Sequence, residues 1–330
     1  GTLTAVHTFQ RFNPAIGFTY NPSHRYTFYG DYSESNRAPT SIELGCADPD
    51  FPCNLPNALV SDPPLNQVVS RTVEAGVRSR NDSHLQWSAG VFRGQNSNDL
   101  LFIASEQTGF GYFTNFGKTI RKGVEASVDY QRHPFDFGID YTFLAATYGS
   151  SGEVDGSSNS SNDAAQDGFK GLEVDITISP GNRLPQAPQH IFKFNADYRP
   201  TSKATVTFNI TSTSGTFARG NENNQHHPDG IHYLGVGSTD AYAIANLGGR
   251  YQLTPNLQFF VQMNNLFNNH YATAAQLGAT PYDANGVFTP RPFPSVQHGS
   301  ETQYPLRHTT FLSPGAPFTA FGGLRISFHL

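Results

Sequence analysis

Charged residues are scarce in this sequence, at 14% of its 330 residues, against about 25% in an average soluble domain. They show no strong bias in sign, since 21 lysines and arginines stand against 26 aspartates and glutamates, for a net charge of −5. A surface that neutralises nucleic-acid phosphates needs clustered lysine and arginine. A nucleic-acid-binding protein is therefore disfavoured.

Long apolar runs are also missing. No stretch of about 18 apolar residues occurs, which excludes a helical membrane protein. Aromatic residues nevertheless reach 13%, with 27 Phe and 15 Tyr, while 31 Gly and 22 Pro favour turns and extended segments over helices. This composition suits strands that present an apolar face and a polar face alternately.

Methionine occurs once, as Met263, and the chain begins with Gly1. Because a translated reading frame starts with methionine, we expect the complete protein to have a further segment before Gly1. No signal peptide or other targeting segment can be recognised in the sequence.

The only two cysteines, Cys46 and Cys53, enclose six residues. No second Cys/His pair stands at the spacing of a zinc site. The spacing favours a small loop closed by a disulfide, and hence an oxidising, extracytoplasmic compartment. Two free thiols in a reducing cell are the alternative.

The dominant pattern is an apolar residue at every second position, as in residues 124–130 and 192–198. This period is typical of β-strands with one apolar and one polar face. It recurs in about eleven segments, many of them near the ~9–11 residues with which a tilted strand crosses a membrane. The sequence thus predicts an all-β, antiparallel fold.

Short and long connections alternate between these strands. The short turns fall near 21–24, 81–84, 133–134, 200–203 and 254–256, and the long polar loops near 38–70, 98–112, 150–189, 217–239 and 271–316. Outer-membrane β-barrels are built in this way, with short periplasmic turns and long extracellular loops. A soluble sandwich is the alternative, but five long loops without regular structure are uncommon in a compact domain.

Aromatic residues cluster beside the short turns. They are Tyr20, Tyr26, Trp87, Phe135, Tyr198 and Tyr251. An aromatic girdle at the boundary of the lipid occupies this place in membrane barrels. We therefore expect outer-membrane lipid around the apolar strand face, and a polar lumen on the other side.

Three motifs resemble those of TonB-dependent outer-membrane receptors. Residues 35–40, Ser-Asn-Arg-Ala-Pro-Thr, followed by Glu43-Leu44, are similar to the "S-x-R-A-P-T-x-x-E-L" stretch of that family. Residues 115–125 resemble its "N-x-G-x-x-x-x-x-G-V-E" strand, and residues 265–271 its "N-L-F-x-x-x-Y" near the C-terminus. These motifs occur in the order and spacing of the family over most of residues 9–330.

The resemblance implies an antiparallel transmembrane β-barrel of 22 strands, filled by an N-terminal plug domain. Such receptors actively import scarce nutrients such as iron–siderophore complexes across the outer membrane of Gram-negative bacteria, energised through TonB. Residues 1–330 would form the C-terminal half of the barrel, without the plug and without the segment that contacts TonB. A self-contained small porin with passive diffusion is the alternative.

The barrel-assembly machinery is a further partner that the resemblance implies. Family members usually end in an aromatic residue that this machinery reads. Here Phe328 is followed by His329 and Leu330, so the signal departs slightly from the pattern.

Motifs for covalent chemistry are missing. The sequence has no Gly-x-Ser-x-Gly, Cys-x-x-Cys or His-Glu-x-x-His. We therefore predict a protein that is not an enzyme, without catalytic residues or a cofactor. An outer-membrane enzyme would need a Ser/His or acid pair that the spacing does not supply.

Candidate ligand-binding residues lie in two of the long loops. Histidines in 226–232 could bind a metal, since imidazoles suit Zn, Cu, Ni or Fe. Aromatic and arginine residues in 271–316 could hold an aromatic or anionic chelate by stacking and charge-assisted hydrogen bonds. These candidates are His226, His227, His232, Tyr282, Arg291, Tyr304 and Arg307. Incidental solvated histidines, and a loop that packs on itself, are the alternatives; no metal ligand is assigned.

Overall fold

The computed structural model describes residues 6–48, 53–54, 65–79, 84–104, 110–172 and 174–328. In chain order its elements are β1 (Ala15–Tyr20), β2 (Tyr26–Arg37), α1 (Ser41–Gly45), β3 (Cys53–Asn54), β4 (Val68–Ser79), β5 (Leu85–Ala104), β6 (Phe110–Arg132), β7 (Phe135–Tyr148), β8 (Gly152–Asp155), α2 (Asp163–Gln166), β9 (Asp175–Ile178), β10 (His190–Thr201), β11 (Ala204–Thr213), β12 (Tyr242–Thr254), β13 (Leu257–Asn264), β14 (Ala272–Thr280), β15 (Val296–His298), β16 (Glu301–Gln303), β17 (Arg307–Pro314) and β18 (Thr319–Ile326). Neither helix of the described residues is long and apolar enough to cross a membrane.

Eleven strands form one antiparallel sheet, in the order β1-β2-β4-β5-β6-β7-β10-β11-β12-β13-β18. The short strand β3 pairs with β6 beside this path. Strands that are neighbours in the sheet follow one another along the chain, apart from the short elements inside the long connections. The prediction of an all-β, antiparallel fold with about eleven strands is confirmed.

One face of the sheet carries apolar side chains that are exposed or half-buried. A continuous row crosses four neighbouring strands, because Val128 lies opposite Ile139, Ile139 opposite Phe194, and Phe194 opposite Ile210. Phe18 of β1 is 66% exposed, and Val91 of β5 is 55% exposed. A soluble sheet buries its apolar face, so this sheet is arranged in the opposite sense.

The other face is polar and its side chains contact one another across strands. The hydroxyls of Ser88 and Ser127 lie 2.8 Å apart, and the Asn246 amide donates to Asn209 Oδ1 at 2.7 Å. Such pairs satisfy polar groups on a face that apolar residues do not cover. The period-2 pattern read from the sequence therefore corresponds to two chemically distinct faces.

Aromatic residues mark the strand ends next to the short connections. The rings of Phe135 and Tyr198 stack with centroids 4.7 Å apart, and those of Tyr26 and Trp87 lie 6.0 Å apart. Tyr20 ends β1 and is 61% exposed. Four of the five short connections fall where the sequence predicts them, and most of the fifth, at 81–84, lies outside the described residues.

The expectation that the long connections lack regular structure is wrong. One of them contains the β8–β9 pair and α2, and another contains the β14–β17 and β15–β16 pairs. Near 98–112, β5 and β6 continue past a bulge at Asn98, whose φ is 54°. Four of these strands, β8, β9, β15 and β16, have only three or four residues, which is too short for period-2 alternation to mark them in the sequence.

Buried apolar residues of the described chain concentrate at the end of the sheet that carries the long connections. Ile176 and Ile178 of β9 are fully buried and pack with Ala146 and Tyr148 at the end of β7 and with Leu184. The sheet itself needs no core on its apolar face, so the packing interior lies among the long connections.

Candidate functional site

Three long connections, on the same end of the sheet, interlock. We call residues 149–189 loop A, residues 214–241 loop B and residues 265–318 loop C; they join β7 to β10, β11 to β12, and β13 to β18. Backbone hydrogen bonds run between them: Leu234 N–H to the His308 carbonyl (2.8 Å), Leu306 N–H to the Gly171 carbonyl (2.8 Å), and Arg219 N–H to the Ala275 carbonyl (2.9 Å). The loops therefore form one assembly.

A cluster of three rings lies at the centre of the assembly. Tyr233 and His308 are 1% and 0% exposed and their rings stack with centroids 5.6 Å apart. The ring of His226 meets Tyr233 edge-on at 5.9 Å. These three rings join loops B and C, and the Tyr233 hydroxyl accepts a hydrogen bond from the Gly171 N–H of loop A at 3.0 Å.

Burial controls the protonation of the two histidines in this cluster. It lowers the pKa of His308 to about 4, because a charged imidazolium there would have little solvation. It also lowers the pKa of His226. Both rings are thus neutral at pH 7.

Asp229 organises the histidine-rich turn of loop B. One of its carboxylate oxygens accepts hydrogen bonds from the N–H groups of Ile231 (2.9 Å), His232 (2.8 Å) and Tyr233 (2.9 Å). The ammonium of Lys170, in loop A, approaches the other oxygen at 3.4 Å. Burial alone would raise the pKa of Asp229, but these hydrogen bonds outweigh it and lower that pKa to about 2.

The three histidines predicted from the sequence occupy different environments. His226 is buried, the ring of His232 stacks on Phe293 at 4.1 Å, and His227 is exposed with its N–H bonded to Ser160 Oγ at 2.7 Å. In the part of the chain that the structure describes, no group of three or more His, Cys, Asp or Glu could hold a metal ion. The rings of His226 and His232 pack the loops together.

The candidates in loop C form pairs. The guanidinium of Arg291 lies 4.8 Å over the ring of Tyr304. That of Arg307 lies 5.7 Å over Phe293, the ring on which His232 stacks. Tyr282 meets Phe288 edge-on at 5.8 Å. The structure thus joins Arg307 to His232 through Phe293, and holds Arg291 with Tyr304.

A cavity of about 700 Å³ opens between the three loops and the ends of β5, β6 and β7. Apolar residues such as Leu101, Phe113 and Leu277 line one part of it. Four charged residues also line it: Arg121, Asp155, Arg219 and Glu222. A mixed lining of this kind suits a small organic ligand with polar groups.

Three of the cavity's charged residues contact neighbouring residues. Arg121 donates to Thr119 Oγ1 at 3.0 Å and lies 3.8 Å from the Asp99 carboxylate. Asp155 accepts from the N–H of Ser157 at 2.9 Å. Glu222 Oε1 accepts from the Gly220 N–H at 2.9 Å, while its Oε2 is buried and has no hydrogen-bond partner among the described residues.

Reasoning from sequence missed the charged residues of the cavity. Arg219 and Glu222 stand in a stretch of Gly and Asn without strand or helix periodicity, and nothing local marks them. Arg121 lies in the strand motif at 115–125, and Asp155 in a Ser- and Gly-rich segment. Only contacts between the loops bring the four together.

The predicted disulfide between Cys46 and Cys53 is present, and both residues are buried. The Cys46 carbonyl accepts from the Phe113 N–H of β6 at 2.6 Å, and Cys53 of β3 pairs with Gly111 of the same strand. The disulfide-closed loop is thereby attached to β6, whose Phe113 lines the cavity.

The sequence matches one family model, described as TonB dependent receptor-like, beta-barrel, over residues 2–266. This is more than half of the chain. The chain belongs to this family of β-barrels.

Solved receptor structures have the same fold. The ferric-catecholate import receptor Fiu from E. coli K12 is 19% identical, with a TM-score of 0.55 over 94% of this chain. The siderophore receptor PiuA from Acinetobacter baumannii is 17% identical (TM-score 0.55, 94% of this chain), and the ferric yersiniabactin uptake receptor FyuA from Yersinia pestis is 14% identical (TM-score 0.58, 96%). At such identities the likeness shows the fold alone.

The chain spans only part of these relatives, at 34% of the length of Fiu, 35% of PiuA and 37% of FyuA. No curated protein matches the sequence. What family membership establishes for this chain is its barrel fold.

Proposed function

We propose that this chain is the C-terminal part of the barrel of an outer-membrane receptor that actively imports a scarce nutrient. The main support for this proposal is that the sheet has an exposed apolar face and that its long connections interlock around a cavity with a mixed lining. An exposed apolar face of this size suits lipid. A cavity lined by three packed loops suits the capture of a ligand.

The membrane supplies the first partner in this proposal. The exposed rings of Tyr20, Phe135 and Tyr198 stand at the ends next to the short turns, where they would lie at the periplasmic boundary of the outer membrane. The interlocked loops would then face the outside of a Gram-negative cell. An open sheet edge in lipid leaves unpaired backbone groups, so we propose that further strands of the intact receptor pair with β1 and β18.

The ligand is proposed to be a metal chelate such as an iron–siderophore complex. The three solved structures named above are a ferric-catecholate import receptor, a siderophore receptor and a ferric yersiniabactin uptake receptor, which supports this class. Loops A, B and C would capture the chelate. Energy from TonB, acting on a plug in the remainder of the receptor, would open the lumen, and the barrel-assembly machinery would insert the barrel.

The residues chosen from the sequence take different parts in this proposal. Tyr282 and Tyr304 are each about half exposed, which leaves their rings free on one side for a ligand. Arg291 would contact the ligand beside Tyr304, and His227 from the exposed turn of loop B. His226, His232 and Arg307 pack the loops and would position these contacts.

Uptake measurements on the intact receptor test the proposal. Iron-starved cells that make it are given radioactive ferric chelates, with and without a functional TonB. We expect saturable uptake that requires TonB. Flux that does not saturate and does not require TonB would overturn the proposal in favour of a passive porin.

A further inference from the structure

The charged groups that line the cavity are not equally provided with partners. Arg121 lies near Asp99 and Thr119, and Asp155 accepts from Ser157. Glu222 differs from both, because only one of its carboxylate oxygens accepts a hydrogen bond from a neighbouring residue. It is therefore the acidic group of the cavity with most to gain from a ligand.

The free oxygen of Glu222 is held in place by its own loop. Gly220 N–H donates to Oε1 at 2.9 Å and fixes the carboxylate two residues away. Oε2 is buried without a hydrogen-bond partner among the described residues, although Glu222 lines a cavity of about 700 Å³. A buried acceptor without a donor is costly, and more so when it carries charge.

The surroundings of Glu222 do not compensate its charge. Burial raises the pKa of its carboxyl, and the negative charge of Asp155 acts in the same direction. The hydrogen bonds from the backbone N–H groups of Gly220 and of Glu222 itself, and the positive charge of Arg219, offset this rise only in part. A group that both donates a hydrogen bond and carries positive charge would supply what is missing.

We propose that Glu222 is a specificity-determining residue, which selects ligands that carry a protonated amino group and binds that group through its carboxylate. The apolar part of the lining, at Leu101, Phe113 and Leu277, accommodates the carbon skeleton next to it. Arg219 adds a donor for an anionic or carbonyl group of the same ligand. This inference rests on the proposed function and specifies its substrate class as amino-bearing chelates.

Matched ligand pairs test the inference on the purified intact receptor. Ferric chelates of the hydroxamate, catecholate and hydroxycarboxylate classes are each made with a free primary amine and as the neutral N-acetyl derivative. For the class that binds, we expect the amine form to bind about tenfold more tightly or better, since hydrogen bonds to charged groups are the stronger ones. Equal affinity of the two forms overturns the inference.

Two substitutions of the same type separate the cavity from the loop surface. Glu222→Gln keeps the acceptor for the Gly220 N–H and removes the charge, so we expect the ratio of the two affinities to fall to about twofold or less, through weaker binding of the amine form. Glu153→Gln, on the exposed side of β8, should keep the wild-type ratio. An unchanged ratio in Glu222→Gln overturns the inference.

The outcomes distinguish the inference from the function beneath it. If no chelate of any class binds the wild-type receptor, the proposed function fails, and the inference fails with it. If chelates bind but amine and N-acetyl forms are not distinguished, only the inference fails. If Glu222→Gln does not assemble in the outer membrane, the wild-type ratio still decides.

Discussion

His226 joins loops A and B through both of its ring nitrogens. Nδ1 lies 3.1 Å from the backbone N–H of Ser160 in loop A, and Nε2 lies 3.0 Å from the carbonyl of Gly235 in loop B. A backbone N–H can only donate and a carbonyl can only accept. The ring is therefore neutral with its proton on Nε2, and protonation of Nδ1 would abolish its bond to Ser160.

His308 makes a similar connection between loops C and A. Its Nδ1 lies 2.9 Å from Ser158 Oγ and its Nε2 lies 3.4 Å from the carbonyl of Gly171. The neutral ring satisfies both partners, with Ser158 as the donor. A second proton would have to enter at Nδ1, in a site that is fully buried.

We predict that acid loosens the loop assembly. An open form has His308 at its ordinary pKa of 6.5, whereas the closed form lowers that pKa to about 4, so the open form binds more protons between these values. The contribution of His308 to the stability of the closed loop assembly is complete above pH 6.5 and is lost as the pH falls toward 4. The loss amounts to about 3 kcal/mol, at 1.36 kcal/mol for each pKa unit. Asp229, with a pKa of about 2, stays charged throughout this range.

Hydrogen exchange measures this loss. The amides of Gly171 and Leu234, bonded to Tyr233 and His308, should exchange faster at pH 4.5 than at pH 7 after correction for intrinsic rates. His227→Gln, at an exposed ring, should leave the response unchanged, while His308→Gln should reduce it. Protection that stays constant between these pH values would contradict the prediction.

Gly171 lies where loops A and C meet. Its φ is +81°, and a Cβ there would lie 2.5 Å from the carbonyl oxygen of Leu306. Gly168 has a similar φ of +93°, but a Cβ there would meet nothing within 4 Å. Both substitutions to alanine incur the left-handed backbone penalty of about 1–2 kcal/mol.

We predict that Gly171→Ala destabilises the loop assembly by about 1–3 kcal/mol more than Gly168→Ala, because only the former also forces the backbones apart. Limited proteolysis of the three loops in the folded receptor compares the two variants. Cleavage at equal rates would show that the close approach of Gly171 to Leu306 does not hold the assembly together.

The strands could be predicted from the sequence because each carries its pattern within itself. In β10, Phe192, Phe194, Ala196 and Tyr198 alternate with polar residues, whatever strand lies alongside. The two faces of a membrane sheet meet different solvents, so the period of two persists along each strand. The disulfide was predictable for a similar reason, since Cys46 and Cys53 are the only two cysteines and lie close in sequence.

The loop assembly was not predictable, because its contacts join residues far apart in the chain. His308 binds Ser158 across 150 residues, and Tyr233 contacts Gly171 across 62. The sequence indicated histidines in loop B but not that the nitrogens of His226 are already in use. Glu222 was missed altogether, because its significance depends on a cavity that three loops enclose.

Arg291 and Tyr304, both chosen from the sequence as ligand contacts, are in contact with each other at 4.8 Å. An exposed pair of this kind is worth about 0.5–1 kcal/mol. We predict that Arg291→Ala and Tyr304→Ala each lower ligand affinity by about fivefold or less, and that the double variant loses no more than either single one, because both act through one pair. Titration of the three variants with a bound ferric chelate tests this, and additive losses would mean that the two side chains contact the ligand independently.

The Arg37 guanidinium binds both oxygens of Glu43, which explains part of the motif at residues 35–44. Nη1 lies 2.6 Å from Oε2 and Nη2 lies 2.9 Å from Oε1. The same carboxylate accepts from the Thr40 N–H at 2.7 Å, and the Thr40 hydroxyl caps α1 by accepting from the Glu43 N–H at 3.2 Å. Arginine, threonine and glutamate at this spacing therefore form one network that starts α1 directly before Cys46.

We predict that Arg37→Lys loosens α1, because a lysine ammonium cannot make the planar two-point contact with Glu43. About half of the Arg37 side chain is exposed, so the cost should be modest, about 0.5–1 kcal/mol. Arg71→Lys is the matched control, since Arg71 contacts Glu34 through a single atom, Nε, at 3.0 Å, and its exposure is similar. Amide exchange of Leu44 and Cys46, whose N–H groups are bonded to Thr40 and Glu43, should rise in the first variant and stay unchanged in the second. Equal exchange in the two variants would mean that the motif does not depend on the two-point geometry.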